Sequence, residues 1–529
     1  MAKGIRNGNK AKIMTAEVAV KLIKDEDVIV FSGAGGGLSE PTKLIVALAD
    51  RYKKEQQPKN LTYWHATGLG DRADRGMSPL AQSGMVKRIF GGHWGQSPRL
   101  AEMAERNEIE AYNFPQGIMA QLLRTAAAHQ PGIMSRTGIG TFVDPRQRGG
   151  RLNEVTAEEL VKLVEFDNKE YLFYPAVYPN VALIRGTTAD ADGYISMEDE
   201  IAYLDTLAAA QAVHNNGGIV ICQVQKVVKK RTLHPKRINI PGYLIEALVV
   251  DSEQSQLYVG PQVNRVFSGD YKLDLEDITP LPLSQRKVVA RRCLMEVKPG
   301  FVGNVGVGIA DGIGTVAQEE GVSEEFTLTV ETGPVGGATA QGIFFGATIN
   351  LQALLDMPAQ FDFYHGGGLD VCFLSFAEID KRGNVNVHKF NGKIMGTGGF
   401  IDICQNTKKV VFCGTLRAGN LKESIVDGKL VIDQEGKFEK LIDTISEITF
   451  NGEEALKNGQ EVIYITERAV FQLTFSGLEL IEIAPGMDLK KDILDQIGFS
   501  VNVSKQLKKM DSCLFSEGKM NIKEEFLNR

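Results

Sequence analysis

A single carboxylate, Glu331, closes the run Phe326-Thr-Leu-Thr-Val330 and is followed at once by Thr332-Gly-Pro-Val-Gly-Gly337. The alternating β-branched run suits a pleated strand, and the Gly and Pro residues after it cannot extend one. A strand of an open α/β sheet that stops this way offers its last side chain at the carboxyl edge, where such sheets bind ligands. Glu331 is therefore a candidate reactive group, the alternative being a solvated turn carboxylate. Two other glycine-rich stretches could serve it. Gly306-Val-Gly-Ile-Ala310 precedes a helix and presents backbone N–H groups to an anionic or carbonyl ligand, and the amides of Gly396-Thr-Gly-Gly399 could stabilise an oxyanion. For both, a tight structural turn is the bland alternative. Gly306-x-Gly308 also begins a dinucleotide fingerprint, with Glu331 where a ribose-binding acid would fall. Its third glycine position is Asp311, however, an acid where phosphates would dock. The chain has no Ser-His-Asp order, G-x-S-x-G elbow or phosphate-binding G-x-x-x-x-G-K-[ST]. His365, before Gly366-Gly-Gly368, is the one histidine near such a loop and reads as structural.

Positioning these loops requires short strands alternating with helices. Strands are expected at Val28–Phe31, Leu61–His65, Val86–Phe90, Tyr178–Gly186 and Tyr243–Asp251, with helices at Leu44–Tyr52 and Met119–Ala127; several of the strands lead into glycine turns. The pattern restarts with helices at Ala290–Glu296 and Gly312–Glu320, and Phe400-Ile-Asp-Ile403 reads as a further strand. Such alternation predicts an α/β fold with mostly parallel sheets. Thr188–Ser196 and Ala377–Asn386 share an acidic-Gly-apolar turn, which suggests two copies of one α/β fold. Periodicity fades from Leu257 to Arg286, so the expected division is a domain at 1–265, a linker at 266–287 and a second domain at 288–529.

Length and composition bound the function. A chain of 529 residues implies more than one domain, and 43% hydrophobic with 24% charged residues is ordinary for a soluble protein. A formal charge of −7 argues against general nucleic-acid affinity. Within that acidic chain, Gln225–Arg237 carries six Lys or Arg in thirteen residues; it reads as a solvated basic face, with a phosphate contact as the alternative. The six cysteines are scattered without metal spacing, and Cys222 and Cys413 lie in buried-strand patterns. The polar amino terminus, Met1 to Met14, lacks an apolar leader core, and no run of about 18 apolar residues occurs. A cytoplasmic enzyme with no membrane segment and no metal is expected.

Taken together, Phe31-Ser-Gly-Ala-Gly-Gly-Gly37, Asn113-Phe-Pro-Gln-Gly117, Pro241-Gly-Tyr243, Leu328-Thr-Val-Glu-Thr-Gly-Pro-Val-Gly-Gly337, Gly383-Asn-Val-Asn-Val387, Gly396-Thr-Gly-Gly-Phe400 and Thr466-Glu-Arg-Ala-Val-Phe471 resemble the class I coenzyme A transferases. Within that family they are most similar to single-chain acetate or propionate CoA-transferases, in which an α-subunit-like half is fused to a β-subunit-like half. The resemblance implies that Glu331 attacks an acyl-CoA thioester and forms first an acyl-glutamyl anhydride and then a glutamyl-CoA thioester. It implies further that Gly396, Gly398 and Gly399 with Gln116 bind substrate or oxyanion, and that Gly306, Val307, Gly308, Ile309 and Ala310 line the CoA arm. Coenzyme A would enter as a substrate, beside a short-chain carboxylate, with no tightly bound cofactor. A homo-oligomer, tetramer or dimer, is expected. Relatives often carry an acid where His365 stands. Alternatives are an acyl-CoA hydrolase or citrate-lyase-type transferase of the same fold, and, from other classes, an NAD-binding dehydrogenase or a non-catalytic ligand sensor.

Overall fold

The structure is a computed structural model that describes residues 11–274 and 278–529. Most of the amino-terminal stretch read above, and residues 275–277 of the expected linker, lie outside the described residues. The chain divides into two compact units.

The first unit gathers the described residues up to Tyr271 with two later segments, Leu354–Asp362 and Asn391–Asp402. Its main sheet runs, edge to edge, through Lys12–Met14, Ala247–Val250, Ile219–Val228, Val181–Asp190, Val28–Phe31, Leu61–His65, Val86–Gly91 and Glu110–Tyr112. All neighbours along this path are parallel. Parallel strands need long crossovers; Thr42–Glu55, Gln116–Ala127 and Thr206–Asn215 are among the helices that supply them. The strand Val181–Asp190 is buried at every position, as a strand covered on both faces must be. Its one cation, Arg185, is held by a bidentate pair with buried Glu200, at 3.0 and 2.9 Å. The glycine turn after Phe31 is packed too closely for any side chain: at Gly37, φ 91°, a Cβ would lie 2.7 Å from the Tyr258 ring.

The second unit comprises Lys272–Ala353, Phe363–Phe390 and Ile403–Arg529. Its sheet passes through Pro334–Val335, Thr327–Thr329, Val302–Val305, Val371–Ser375, Lys409–Cys413, Glu461–Ile465, Ala469–Thr474, Gly477–Ile483 and Asn502–Lys509. The strands from Thr327–Thr329 to Glu461–Ile465 are parallel, and a core around Val289, Ile313, Phe373 and Val411 packs with them. The helix Gln285–Leu294 begins five residues before the expected Ala290. Its charged residues hid it: Lys287, Arg291 and Arg292 are buried, and Arg291 donates to the carbonyls of Leu514 and Ser516 at 3.1 and 2.8 Å. A second correction concerns Phe400–Cys404, which is helical rather than a strand. A short apolar run does not distinguish a buried strand from a single helical turn, and the turn at Gly398, φ 53°, with Phe400 N–H on Thr397 O at 3.1 Å, starts a helix.

The α/β class with mostly parallel sheets is as the sequence predicts, and the repeated turn recurs bond for bond. In the first unit, Asp190 Oδ1 accepts from the N–H groups of Asp192 and Tyr194 at 2.9 and 3.1 Å, and Gly193 N–H returns to Asp190 O at 2.9 Å. In the second, Asp380 Oδ1 accepts from Arg382 and Asn384 at 2.9 and 3.0 Å, and Gly383 N–H returns to Asp380 O at 2.9 Å. The two loops share a side-chain acceptor, a glycine position and a return bond. Removing the acceptor in Asp380→Ala strands two N–H groups and the Asn384 amide; a loss of about 1–3 kcal/mol is expected, measured by denaturant melts.

Candidate active site

Glu331 lies where the sequence places it, just past the carboxyl end of Thr327–Thr329, at the tip of a tight hairpin. Val330 N–H bonds to Pro334 O and Gly333 N–H to Val330 O, both at 3.0 Å, and Thr329 pairs with Val335. Thr332 Oγ1 donates to Gly346 O at 3.0 Å, which fixes the turn from outside. The carboxylate is thus carried on a braced backbone. Glu331 keeps part of its surface exposed, but its Oε2 is covered and accepts from nothing among the described residues. Burial pushes its carboxyl up to about 7, its own backbone N–H pulling weakly the other way.

The stretch Gly306–Ala310 leaves the neighbouring parallel strand Val302–Val305 at the same edge of the sheet. Gly306 N–H bonds to Phe373 O at 2.9 Å, and Ser375 Oγ donates to Val307 O at 3.0 Å, so the loop lies over the end of Val371–Ser375. At Gly308, φ 112°, a Cβ would meet Ser375 Oγ at 2.5 Å. Arg286 donates to Gly308 O at 2.6 Å and pairs with buried Asp311. Burial raises the Asp311 carboxyl and Arg286 opposes the rise. His365 ends the helix Met357–His365, and its carbonyl accepts from Asn406 Nδ2 at 2.8 Å.

Within the first unit, Gly396–Gly399 and Gln116 come together. Gln116 N–H donates to Gly398 O at 3.0 Å, and its side chain is buried against Met357 Sδ at 3.3 Å. Thr397 N–H bonds to Asn113 Oδ1 at 2.9 Å and Gly398 N–H to Gly92 O at 2.8 Å. Of the glycines named from the sequence, Gly398 therefore has its donor engaged, while the N–H groups of Gly396 and Gly399 bond to nothing among the described residues. Gly396, φ 78°, has no room for a Cβ, which would sit 2.8 Å from Trp94 N.

Comparison with known proteins identifies the family. Residues 13–251 match the family model "Coenzyme A transferase". The acetate CoA-transferase YdiF of Escherichia coli K12 is 63% identical over 517 residues, 98% of this chain and 97% of the relative. The chain belongs to the coenzyme A transferase family. The caffeate CoA-transferase of Acetobacterium woodii is 42% identical across 96% of this chain and 98% of its own. A crystal structure of YdiF from E. coli O157:H7, described as a thioester complex with CoA, superposes with a TM-score of 0.94 at 61% identity, covering 98% of this chain and 99% of that one. The α subunit of citrate lyase from Streptococcus mutans, with a TM-score of 0.53 at 12% identity, shares the fold alone.

For this CoA-transferase the dehydrogenase and ligand-sensor readings fall away. A phosphate at the Gly306–Gly312 turn would meet the Asp311 carboxylate, which the structure uses to anchor Arg286 and the loop. Sequence reasoning missed Asp402 and His93. Asp402 is fully buried and accepts from Gly117 and Ile118 N–H at 3.0 and 3.2 Å, capping the helix that Gln116 opens from 285 residues away in sequence. Nothing in its sequence neighbourhood signals that distant cap. His93 pairs with Gly396 in an antiparallel bridge; its Nδ1 is buried without a partner and burial lowers its pKa to about 4, leaving a neutral imidazole at this loop.

Two outcomes follow. Folding penalises the Glu331 carboxylate relative to the acid, so its destabilising effect is absent below about pH 4.5 and complete above about pH 7. Glu331→Gln is expected to match the unmodified protein in melts near pH 4.5 and to exceed it by about 1–3 kcal/mol at pH 8; a less stable variant at pH 8 would reveal a partner for the carboxylate. Asp402→Ala strands the Gly117 and Ile118 donors and should lower stability by about 1–3 kcal/mol, with amide exchange quickened in the first turn of Gln116–Ala127.

Proposed function

We propose that this CoA-transferase moves coenzyme A between short-chain acyl-CoAs and carboxylic acids such as acetate or propionate, with Glu331 as the group that carries the acyl chain and CoA in turn. The observation that carries this reading is the partly desolvated carboxylate of Glu331, its Oε2 without a donor among the described residues, on a braced hairpin at the carboxyl edge of a parallel sheet. A carboxylate with little solvation is a better nucleophile than a hydrated one, and a raised pKa records the same loss of solvation. A relative named as an acetate CoA-transferase, 63% identical across nearly the whole chain, supports the substrate class.

In this reading a Glu331 oxygen bonds to the thioester carbonyl carbon and the C–S bond breaks, leaving an acyl-glutamyl anhydride and CoA thiolate. The thiolate attacks the glutamyl carbonyl, the first acid leaves as its carboxylate, and Glu331 holds CoA as a thioester. The acceptor carboxylate attacks that thioester carbon and expels the thiolate, which then attacks the new acyl carbon and frees Glu331. No proton need move, since thiolate and carboxylate leave unprotonated. Each tetrahedral species concentrates charge on one oxygen, for which Gly396 and Gly399, with uncommitted N–H groups, are the proposed donors; Gln116 is proposed to bind substrate and Gly306–Ala310 to line the CoA arm. Coenzyme A enters as substrate only, in a cytoplasmic homo-oligomer whose size sedimentation measures directly.

Incubation with acetyl-CoA should leave a CoA adduct on the Glu331 peptide, detectable by mass spectrometry, and labelled acetate should exchange into acetyl-CoA without a second acid. Glu331→Ala should lower transfer about 10⁴-fold or more with the fold intact. Acyl-CoA hydrolysis without exchange or adduct would point instead to a hydrolase. Because the nucleophile is the ionised form, kcat/KM for acetyl-CoA should rise with pH and level off above about 7.

A further inference from the structure

Lys440 lies in the second unit between the short strands Phe438–Glu439 and Leu441–Ile442, and the proposed chemistry leaves it unused. Its backbone is fixed, since Ile379 N–H donates to Lys440 O at 2.7 Å and Ile379 pairs with Leu441. The side chain reaches the carboxyl edge of the sheet. Its Nζ stands 3.9 Å from the centroid of the Phe376 ring, and a Cβ at Gly414 would come within 3.0 Å of it, so the glycine leaves the amine its place. Phe376 is the first residue past Val371–Ser375 and Gly414 the first past Lys409–Cys413, two strands that end level, Ser375 opposite Cys413. The amine makes no ion pair or hydrogen bond among the described residues. Glu467 is the nearby acid, and both of its oxygens are taken: Arg468 Nε donates to Oε1 at 2.7 Å and Leu416 N–H to Oε2 at 2.8 Å. Burial lowers the Lys440 pKa to about 8, with Glu467 and the Cys413 thiol opposing the fall. Part of the residue's surface nevertheless stays open to solvent. An ordinary lysine is almost wholly protonated at neutral pH, whereas this one keeps a reactive fraction of neutral amine.

We propose that Lys440 is a site of covalent acylation, its amine taking the acyl group of acyl-CoA as a stable amide beside the transfer site. The inference rests on acyl-CoA binding at this edge of the sheet, as the proposed function has it. The Lys440 nitrogen bonds to the thioester carbonyl carbon, the C–S bond breaks, and the proton lost from nitrogen leaves with sulfur as the CoA thiol. No other reactant is needed. The strand order runs from Thr327–Thr329, which leads to Glu331, through Val302–Val305 to Val371–Ser375, which leads to Phe376. At about 4.8 Å per strand the two ends are about 10 Å apart, and the Gly306–Ala310 loop leaves the strand between them. A thioester on a flexible arm held at this edge meets the amine at a local concentration far above that in solution. Acylation at Glu331 is reversed by the next thiolate, whereas an amide at Lys440 persists and removes a positive charge.

The test incubates the full chain with acetyl-CoA and follows acetylation of each lysine by peptide mass spectrometry. Exposed Lys429 and Lys437, close by in sequence, serve as internal references. At neutral pH Lys440 is expected to be acetylated about tenfold faster than either or more, with a rate that rises with pH and levels off above about 8. Free CoA in excess should slow acetylation of Lys440 and leave the references less affected, because it competes for the bound donor. Glu331→Gln should retain the Lys440 label, since the amine takes the acyl group from the thioester directly. Acetylation of Lys440 no faster than the references, a rate indifferent to free CoA, or a label lost in Glu331→Gln overturns the proposal. Exchange of labelled acetate into acetyl-CoA, read in the same incubation of the unmodified protein, reports separately on the transferase reading.

Discussion

Parallel strands joined by helices all deliver the chain to one edge of the sheet, and that constraint decides where reactive groups can stand. In the second unit it sets the hairpin of Glu331 beside the Gly306–Ala310 loop, because both follow adjacent strands in register, Asn304 opposite Thr329. In the first it collects the turns after Phe31, His65 and Gly91 on one side. The glycines follow from this crowding. Backbones that converge at a sheet edge leave no room for a Cβ at Gly37, Gly308 or Gly396, and positive φ excludes most other residues there.

A carboxylate can be made reactive only by withholding what would stabilise it. Glu331 is surrounded by backbone already bonded to itself: Gly333 to Val330, Val330 to Pro334, Gly336 to Leu328. The donors that might have solvated the carboxylate are used to brace the turn, so rigidity and desolvation have one source. Two buried acids elsewhere in the chain are treated differently. Glu200 is clamped by Arg185, and Asp402 by two helix N–H groups; these carboxylates are satisfied and serve the fold.

Much of this was legible in the sequence because it rests on local rules. Val28–Phe31 and Leu61–His65 were readable to the residue, and the strand-then-glycine pattern located Glu331 without a structure. The paired Asp190 and Asp380 turns were visible as a motif, and their hydrogen bonds explain why an acid and a glycine recur. What failed was non-local. The helix Gln285–Leu294 is rich in charge because Arg291 and Arg292 are buried against partners more than 180 residues away. The cap that Asp402 provides for Gln116–Ala127 has no trace near either segment, and the helical turn at Phe400 was decided by the glycines before it.

The two later segments of the first unit bear on how this chain is made. Residues up to Tyr271 leave the ribosome without Leu354–Asp362 and Asn391–Asp402, which supply the Met357 N–H to Leu204 O, the Met395 carbonyl to Trp94 and Gly95, and the Asp402 cap. At about 5–20 residues per second, the first unit waits on the order of ten seconds for its own last pieces. During that time the start of Gln116–Ala127 lacks its acceptor and the apolar surface beneath it is uncovered. Nascent chains of this protein are thus longer-lived as unfinished species than its domain size alone implies, and the interval between Tyr271 and Asp402 is when a chaperone has most to protect.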